Sequence, residues 1–288
     1  MANHPSAAKR NRQRIGRTLR NKASTLGNVQ YAEPDDDIHY TILGLMLIEK
    51  HGLNFARYDV AKGHLDNIPY HWLWSCTRQS YYHMVNMTDD RPVEEQIAEY
   101  PTKLNPWREG INAAIRADFW GYVSPGDPRR AAKIAHREVS FNTVKNGSYS
   151  SMFVAGCLAA ALSKNPTVDT ILQGGLSVIP QQSRLARITA EVQAWYAQEG
   201  YWLPVCDRVY ERYGHLPFLA ALHNMAFVVL ALIHGQLDFE KAHRVPDPKP
   251  FNLTLKKGEK ALFKYRVAIY EGNMDKAKLD ALYQSYAK

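Results

Sequence analysis

Over most of its length the chain repeats apolar side chains every three or four residues, and at both ends that rhythm stops. The spacing predicts helices over residues 38–51, 93–100, 108–119, 129–139, 150–162, 168–174, 183–198 and 216–234. Gly52 follows the first of these and can supply a left-handed C-terminal stop. In "SPGDPRRAAKIAHRE", Gly126 permits a turn, Asp127 can cap the helix and Pro128 takes its first position. Small residues dominate "VAGCLAAAL", so neighbouring helices can approach closely. Few strand patterns occur before residue 242, and the expectation is an all-α, multi-helix bundle over 28–242 whose loops carry the chemistry.

The two ends follow other patterns. Residues 1–27 form a basic tail: "MANHPSAAKRNRQRIGRTLRNKA" holds only Ile15 and Leu19 as large apolar side chains, too few for a core of its own. Residues 243–288 begin with "RVPDPKPFNLTL", whose closely spaced prolines end any helix. There follows "KALFKYRVAIY", with Phe263, Tyr265, Val267 and Ile269 on one side and Leu262, Lys264, Arg266, Ala268 and Tyr270 on the other, which is strand periodicity. A short helix over "MDKAKLDALYQSYAK" completes a strand-helix appendage whose strand needs a partner.

Composition narrows the class. With 288 residues, 45% of them hydrophobic and 11% aromatic, the chain can bury a substantial core. Cys76, Cys157 and Cys206 are widely spaced and form no CxxC pair, which points away from a disulfide framework or zinc knuckle and toward the reducing cytoplasm. The longest apolar run, 216–233, approaches membrane length, but His223 and Asn224 interrupt it, as suits a buried helix rather than a span. No apolar segment follows the basic N-terminus, so no secretory leader is expected. The net charge of +8 is local: Lys9, Arg10, Arg12, Arg14, Arg17, Arg20 and Lys22 stand in the first 23 residues with no acid, leaving +1 elsewhere. Cations on several sides of such a segment suit a nucleic-acid backbone, and a plain basic extension explains them too.

Several residues offer chemistry. "EPDDDIHY" sets Asp35, Asp36 and Asp37 at a helix start, where they can cap it and meet its positive end or converge on a cation. "IRADFWGYV" offers Asp118 as a substrate contact and Tyr122 as a stacking ring, or else an Arg116–Asp118 ion pair at a helix end beside a buried aromatic. Asn146 and Gly147 in "VKNGSY" can present backbone amides to a diphosphate, or form a simple turn. Trp72, Trp74, Tyr81 and Tyr82 suggest a nucleobase platform or internal aromatic contacts, and His71 and His83 lack a carboxylate motif to make them metal ligands. No phosphate-binding loop, dinucleotide fingerprint or serine-hydrolase motif is present.

The tail resembles the opening of the small-subunit ribosomal protein conventionally numbered twenty, a three-helix bundle that binds ribosomal RNA. That resemblance implies RNA contacts by its seven cations. The middle resembles the ADP-ribosylglycohydrolase family through "PDDDIHYTILGLMLIEKHG", "NPWREGINAAIRADFWGYVSPGDPRRAAKIAHRE", "VKNGSYSSMFVAGCLAAAL", "GLSVIPQQSRLA" and "HNMAFVVLALIHGQLDFEKA", in order. The family resemblance implies an all-helical enzyme that hydrolyses the glycosidic bond between ADP-ribose and an acceptor, with two magnesium ions held by an acidic motif at one helix start and a second, Asp-x-Asp motif near the C-terminus. Asp36 and Asp37 match the paired metal-binding aspartates, and Asp35 stands where many members have threonine.

Three departures accompany the resemblance. Where the second acidic cluster is expected, "HRVPDPKPFNLTL" offers Asp247 as its single carboxylate. The Gly-rich first helix of the family is replaced by the tail, and Asn142 and Thr143 stand where a histidine is expected before "KNG". The closing residues, from "PFNLTL" on, resemble the last strand and helix of PmoA-like β-sandwich proteins, so the chain reads as a mosaic. The expected function is magnesium-assisted hydrolysis of an ADP-ribosyl linkage, at one retained ion or with activity lost. The alternatives are an RNA- or ribosome-binding protein acting through the tail, and an inactive chimera.

Overall fold

The computed structural model describes residues 36–87 and 90–243, and their side chains over 38–87 and 90–235. These residues fall in a single unit spanning 33–248. The tail, the Pro-rich linker and the strand expected over 261–270 lie outside the described residues. The helices are α1 (Asp36–His51), α2 (Arg57–Asn67), α3 (Ser75–Val85), α4 (Val93–Glu99), α5 (Asp118–Tyr122), α6 (Pro128–Val139), α7 (Asn146–Ala161), α8 (Val168–Leu176), α9 (Arg184–Glu199), α10 (Trp202–Tyr213) and α11 (Ala221–His243), with 3-10 turns at Gly52–Asn54, Tyr70–Trp72 and Ile111–Arg116. No extended strand occurs among the described residues, so this part of the chain is all-α. No helix among them is long and apolar enough to cross a membrane.

α7 is the axis of the bundle. Its residues are small or apolar all round, as a helix enclosed by others requires. It contributes Ala155 and Ala159 to a core with α1, α2, α5 and α6, built around Leu43, Leu47, Val60, Trp120 and Ile134. On its other side Phe153 and Cys157 join a second core with α8 to α11, built around Leu172, Ile188, Val209 and Met225. The small residues set the spacing: a methyl group on Gly121 of α5 would lie 2.5 Å from Leu158 Cβ, and one on Gly174 of α8 would lie 2.5 Å from Ala160 Cβ. Real carbon atoms do not approach so closely, so these helices meet backbone to backbone.

The cap of α6 follows its sequence. Asp127 accepts a hydrogen bond from the Arg130 amide at 3.0 Å, with Pro128 in the first turn. Ser183 caps α9 in the same way, and Gly200 ends it at φ +64°.

The helix expected over 108–119 is instead a turn, the 3-10 segment and the short α5. The cause is a backbone exchange with the loop before α11. Ile111 N–H donates to Leu219 C=O at 2.8 Å, and Ala221 N–H donates to Glu109 C=O at 3.0 Å. Residues 109–111 spend their backbone groups on that bridge and cannot also form an α-helical ladder. The same exchange delays α11 to Ala221, five residues past its expected start. Helices α2, α3 and α10 were not expected. α3 buries Thr77, Ser80 and His83 along with Cys76 and Met84, so its inward face carries no apolar stripe to read.

Candidate active site

Asp36 and Asp37 form the first turn of α1. The side chains of Asp35, Asp36 and Asp37 lie outside the described ones. One turn after Asp37, Thr41 donates its hydroxyl to Asp118, 3.4 Å from Oδ2 and 3.5 Å from Oδ1. Asp118 opens α5 and also accepts from the Phe119 amide at 2.8 Å. Farther along α1, a methyl group on Gly44 would stand 2.6 Å from the Phe119 ring, so the two helices are in close contact here. Asp118 is thereby fixed beside α1, one turn beyond the acidic start.

Tyr122 lies one turn beyond Asp118 on the same helix, with half of its surface open to solvent. Partial burial, and then the Asp118 carboxylate, push its hydroxyl pKa up, so it stays a neutral phenol. The structure thus brings Asp118 and Tyr122 together beside α1. It does not bring them to Asn146 and Gly147. Gly121 of α5 rests against Ala155–Ala159 of α7, whereas Gly147 begins the same helix about 15 Å earlier along its axis.

The amides at that distant turn have internal partners. Asn146 N–H donates to Glu109 Oε2 at 3.3 Å, its Nδ2 donates to the same oxygen at 2.8 Å, and its Oδ1 accepts from the Leu185 amide at 3.2 Å. Gly147 N–H donates to Val144 C=O at 3.1 Å. Gly147 is required by proximity, since a methyl group there would meet Arg108 C=O at 2.8 Å. The unusual backbone angle belongs to the preceding residue, Lys145, at φ +49°. Glu109 also pairs with Arg184 at 3.1 Å, which makes this carboxylate a tie between the starts of α7 and α9. A cavity of about 160 Å³ lies alongside, lined by Trp107, Glu109, Arg184, Leu216 and Pro217.

Beneath Asp118 lies a buried polar network. Arg116 does not pair with Asp118 as the sequence allowed; it turns inward to Glu138 on α6, with Nε 3.2 Å from Oε1 and both side chains almost wholly enclosed. Its Nη2 donates to Asn142 Oδ1 at 3.1 Å and its Nη1 to Thr77 Oγ1 at 3.3 Å. Tyr40 of α1 and Phe141 cover the guanidinium at 5.2 and 5.5 Å. His64 Nδ1 donates to Val60 C=O at 2.9 Å, which leaves Nε2 as an acceptor 3.5 Å from Arg116 Nη1. Burial, with the nearby guanidinium, lowers the His64 pKa to about 3 and keeps it neutral. Burial raises Glu138 to about 7 although Arg116 opposes the shift. Asn142 and Thr143, in the place where a histidine was expected, serve the interior: Asn142 bonds Arg116 and Thr77, and Thr143 donates to Val139 C=O at 3.2 Å.

The aromatic group has mixed surroundings. Trp72 stacks on His39 of α1 with ring centres 5.0 Å apart, and Tyr81 lies on Tyr70 at 5.4 Å. Trp74 and Tyr82 are exposed, with Arg78 covering one face of Trp74 at 4.8 Å. His83 is held by Lys103 C=O at 2.6 Å. Burial pushes the Cys76 thiol up and Cys157 to about 12, so neither is a nucleophile at neutral pH.

Among the described residues no group of three or more His, Cys, Asp or Glu side chains could hold a metal ion. The atoms at the α1–α5 contact are nonetheless hard oxygen donors, Thr41 Oγ and the Asp118 carboxylate, next to the turn that carries Asp36 and Asp37. That donor chemistry fits magnesium and not a soft metal. Thr41, Glu109, His64 and Glu138 did not stand out in the sequence. Glu138 alone had a readable signal, a carboxylate on the stripe Ala131, Ile134, Ala135, Val139 that α6 buries.

No curated protein and no solved structure matches the chain. The model of the ADP-ribosylglycohydrolase family matches residues 4–245, which include the eleven helices of the described residues, the acidic turn of α1, and Asp118 with Tyr122. With that match over most of its length, the chain belongs to the ADP-ribosylglycohydrolase family.

Proposed function

We propose that the protein hydrolyses a glycosidic bond to ADP-ribose at the contact between α1 and α5. The observation that carries this reading is the hydrogen bond from Thr41 to Asp118, which ties the Asp118 carboxylate to the helix that begins with Asp36 and Asp37. Asp36 and Asp37 hold magnesium, with Asp35 as an added ligand or the helix cap. When bound, the ion supplies a Lewis acid and a positioned water. Asp118 accepts hydrogen bonds from sugar hydroxyls, and the half-open Tyr122 ring offers a face for the adenine. With Asp247 the single carboxylate of the segment where a second cluster is expected, one ion is held rather than two.

The test is release of ADP-ribose from an ADP-ribosylated protein, followed with and without magnesium. The wild type releases it only with magnesium, and Asp118→Asn loses at least about tenfold in rate, the scale of one charge-assisted contact. Equal release by the wild type and by the Asp36→Ala, Asp37→Ala double variant contradicts the proposal.

A further inference from the structure

We propose that Glu138 and Arg116 are positioning residues, a buried clamp that sets where α5 presents Asp118. This inference rests on the reading of Asp118 given above. Asp118 lies between two buried side chains that hold the chain on either side of it. Two residues before it, Arg116 meets Glu138 at 3.2 Å; two residues after it, the buried Trp120 ring packs on Phe55 with ring centres 5.3 Å apart. Ala117, between Arg116 and Asp118, is fully buried. The guanidinium is fastened in addition to Thr77 on α3 and Asn142, and is covered by Tyr40 and Phe141. The chain entering α5 therefore cannot shift without breaking contacts to α1, α3 and α6 together.

Stability alone does not account for the clamp. A buried ion pair is often no better than a well-filled apolar replacement, because desolvation offsets the attraction. This one is imperfect too: Glu138 Oε2 and Arg116 Nε make no well-formed hydrogen bond. What the pair provides is a fixed direction, since a planar guanidinium with several anchored N–H groups admits a single pose.

The clamp also depends on charge. Arg116 is the charged group facing Glu138. His64 from α2 and Cys76 from α3 are held neutral by burial, and Tyr40 from α1 contributes a ring face. On α6 itself, Arg137 reaches away to Leu53 C=O at 2.7 Å, and His136 is disfavoured as a cation by burial and by Arg57. Glu138 is ionised above about pH 7, so the clamp is closed on the alkaline side and loosened on the acid side.

The experiment uses the full chain with magnesium and ADP-ribose, comparing wild type, Glu138→Gln and Arg116→Lys by calorimetry and by hydrogen exchange of residues 117–124. At pH 8.5 each variant is expected to bind ADP-ribose about tenfold more weakly, as loss of one charge-assisted anchor implies. Wild-type affinity should fall as pH drops through about 7, whereas Glu138→Gln is level there. Exchange in 117–124 should accelerate about tenfold, the same factor, while α9 to α11 keep their protection. Unchanged exchange in 117–124, or equal acceleration across α9 to α11, overturns the clamp. A wild type that does not bind ADP-ribose refutes the reading of Asp118, and the exchange arm still decides on the clamp.

Discussion

Replacing Glu138 by Gln should change how stability depends on pH, in a direction fixed by the burial of the carboxylate. In the folded chain Glu138 titrates at about 7, against 4.5 when unperturbed. Between those values the folded state keeps a proton that the unfolded state has released, so the stabilising contribution is complete below pH 4.5 and is lost as pH rises through 7. The gap corresponds to ~3 kcal/mol. His64 acts in the opposite sense. Its pKa falls from 6.5 to about 3 on folding, so its contribution is present above pH 6.5 and is lost on acidification toward 3. From pH 4.5 to 6.5 the two slopes, each ~1.4 kcal/mol per pH unit, oppose each other and flatten the wild-type profile. Urea denaturation at half-unit pH steps reads this out as the stability of wild type minus that of Glu138→Gln. The difference should fall by ~3 kcal/mol between pH 4.5 and 7 and level off above. A difference independent of pH, or one that grows with pH, would refute the assignment of Glu138 as a buried acid that is neutral below 7.

Two further outcomes follow from the structure and the charge pattern. Glu109→Ala removes the acceptor shared by Asn146 and Arg184 and leaves the buried Asn146 amide unpaired, so it should cost ~2–3 kcal/mol in urea denaturation; a loss below ~0.5 kcal/mol would show that the starts of α7 and α9 do not depend on it. The seven cations of residues 1–23 predict binding to an RNA hairpin with log K falling steeply against log salt, abolished on deleting those residues; retention of binding by the deleted chain would place the contact elsewhere.

How much of this could be read from the sequence depended on how local its cause was. The cap of α6 was legible in Asp127 and Pro128, because a cap is a contact between residues three apart. The break within 108–119 was not, because its cause is a backbone exchange with Leu219 and Ala221, more than a hundred residues away. At the candidate site, Asp118 and Tyr122 were singled out from the sequence on either side of an expected helix end at 119, whereas the structure puts both on α5, and the partner that holds Asp118 is Thr41, 77 residues earlier. Arg116 was noticed with the nearest carboxylate in sequence, Asp118, whereas in space Glu138 lies in front of it. Asn142 carried no sign of its role, since an asparagine in a loop reads as a turn residue until Arg116 and Thr77 are seen beside it.

We propose that the start of α1 and Asp118 of α5 together form a magnesium-assisted ADP-ribose site. Titration calorimetry of ADP-ribose into the full chain, with magnesium and then with excess chelator, tests it most directly. Binding with magnesium should weaken at least about tenfold under chelation and be equally weak in the Asp36→Ala, Asp37→Ala variant with magnesium present. A folded wild type with no magnesium-dependent binding of ADP-ribose, or a double variant that binds as the wild type does, would contradict it.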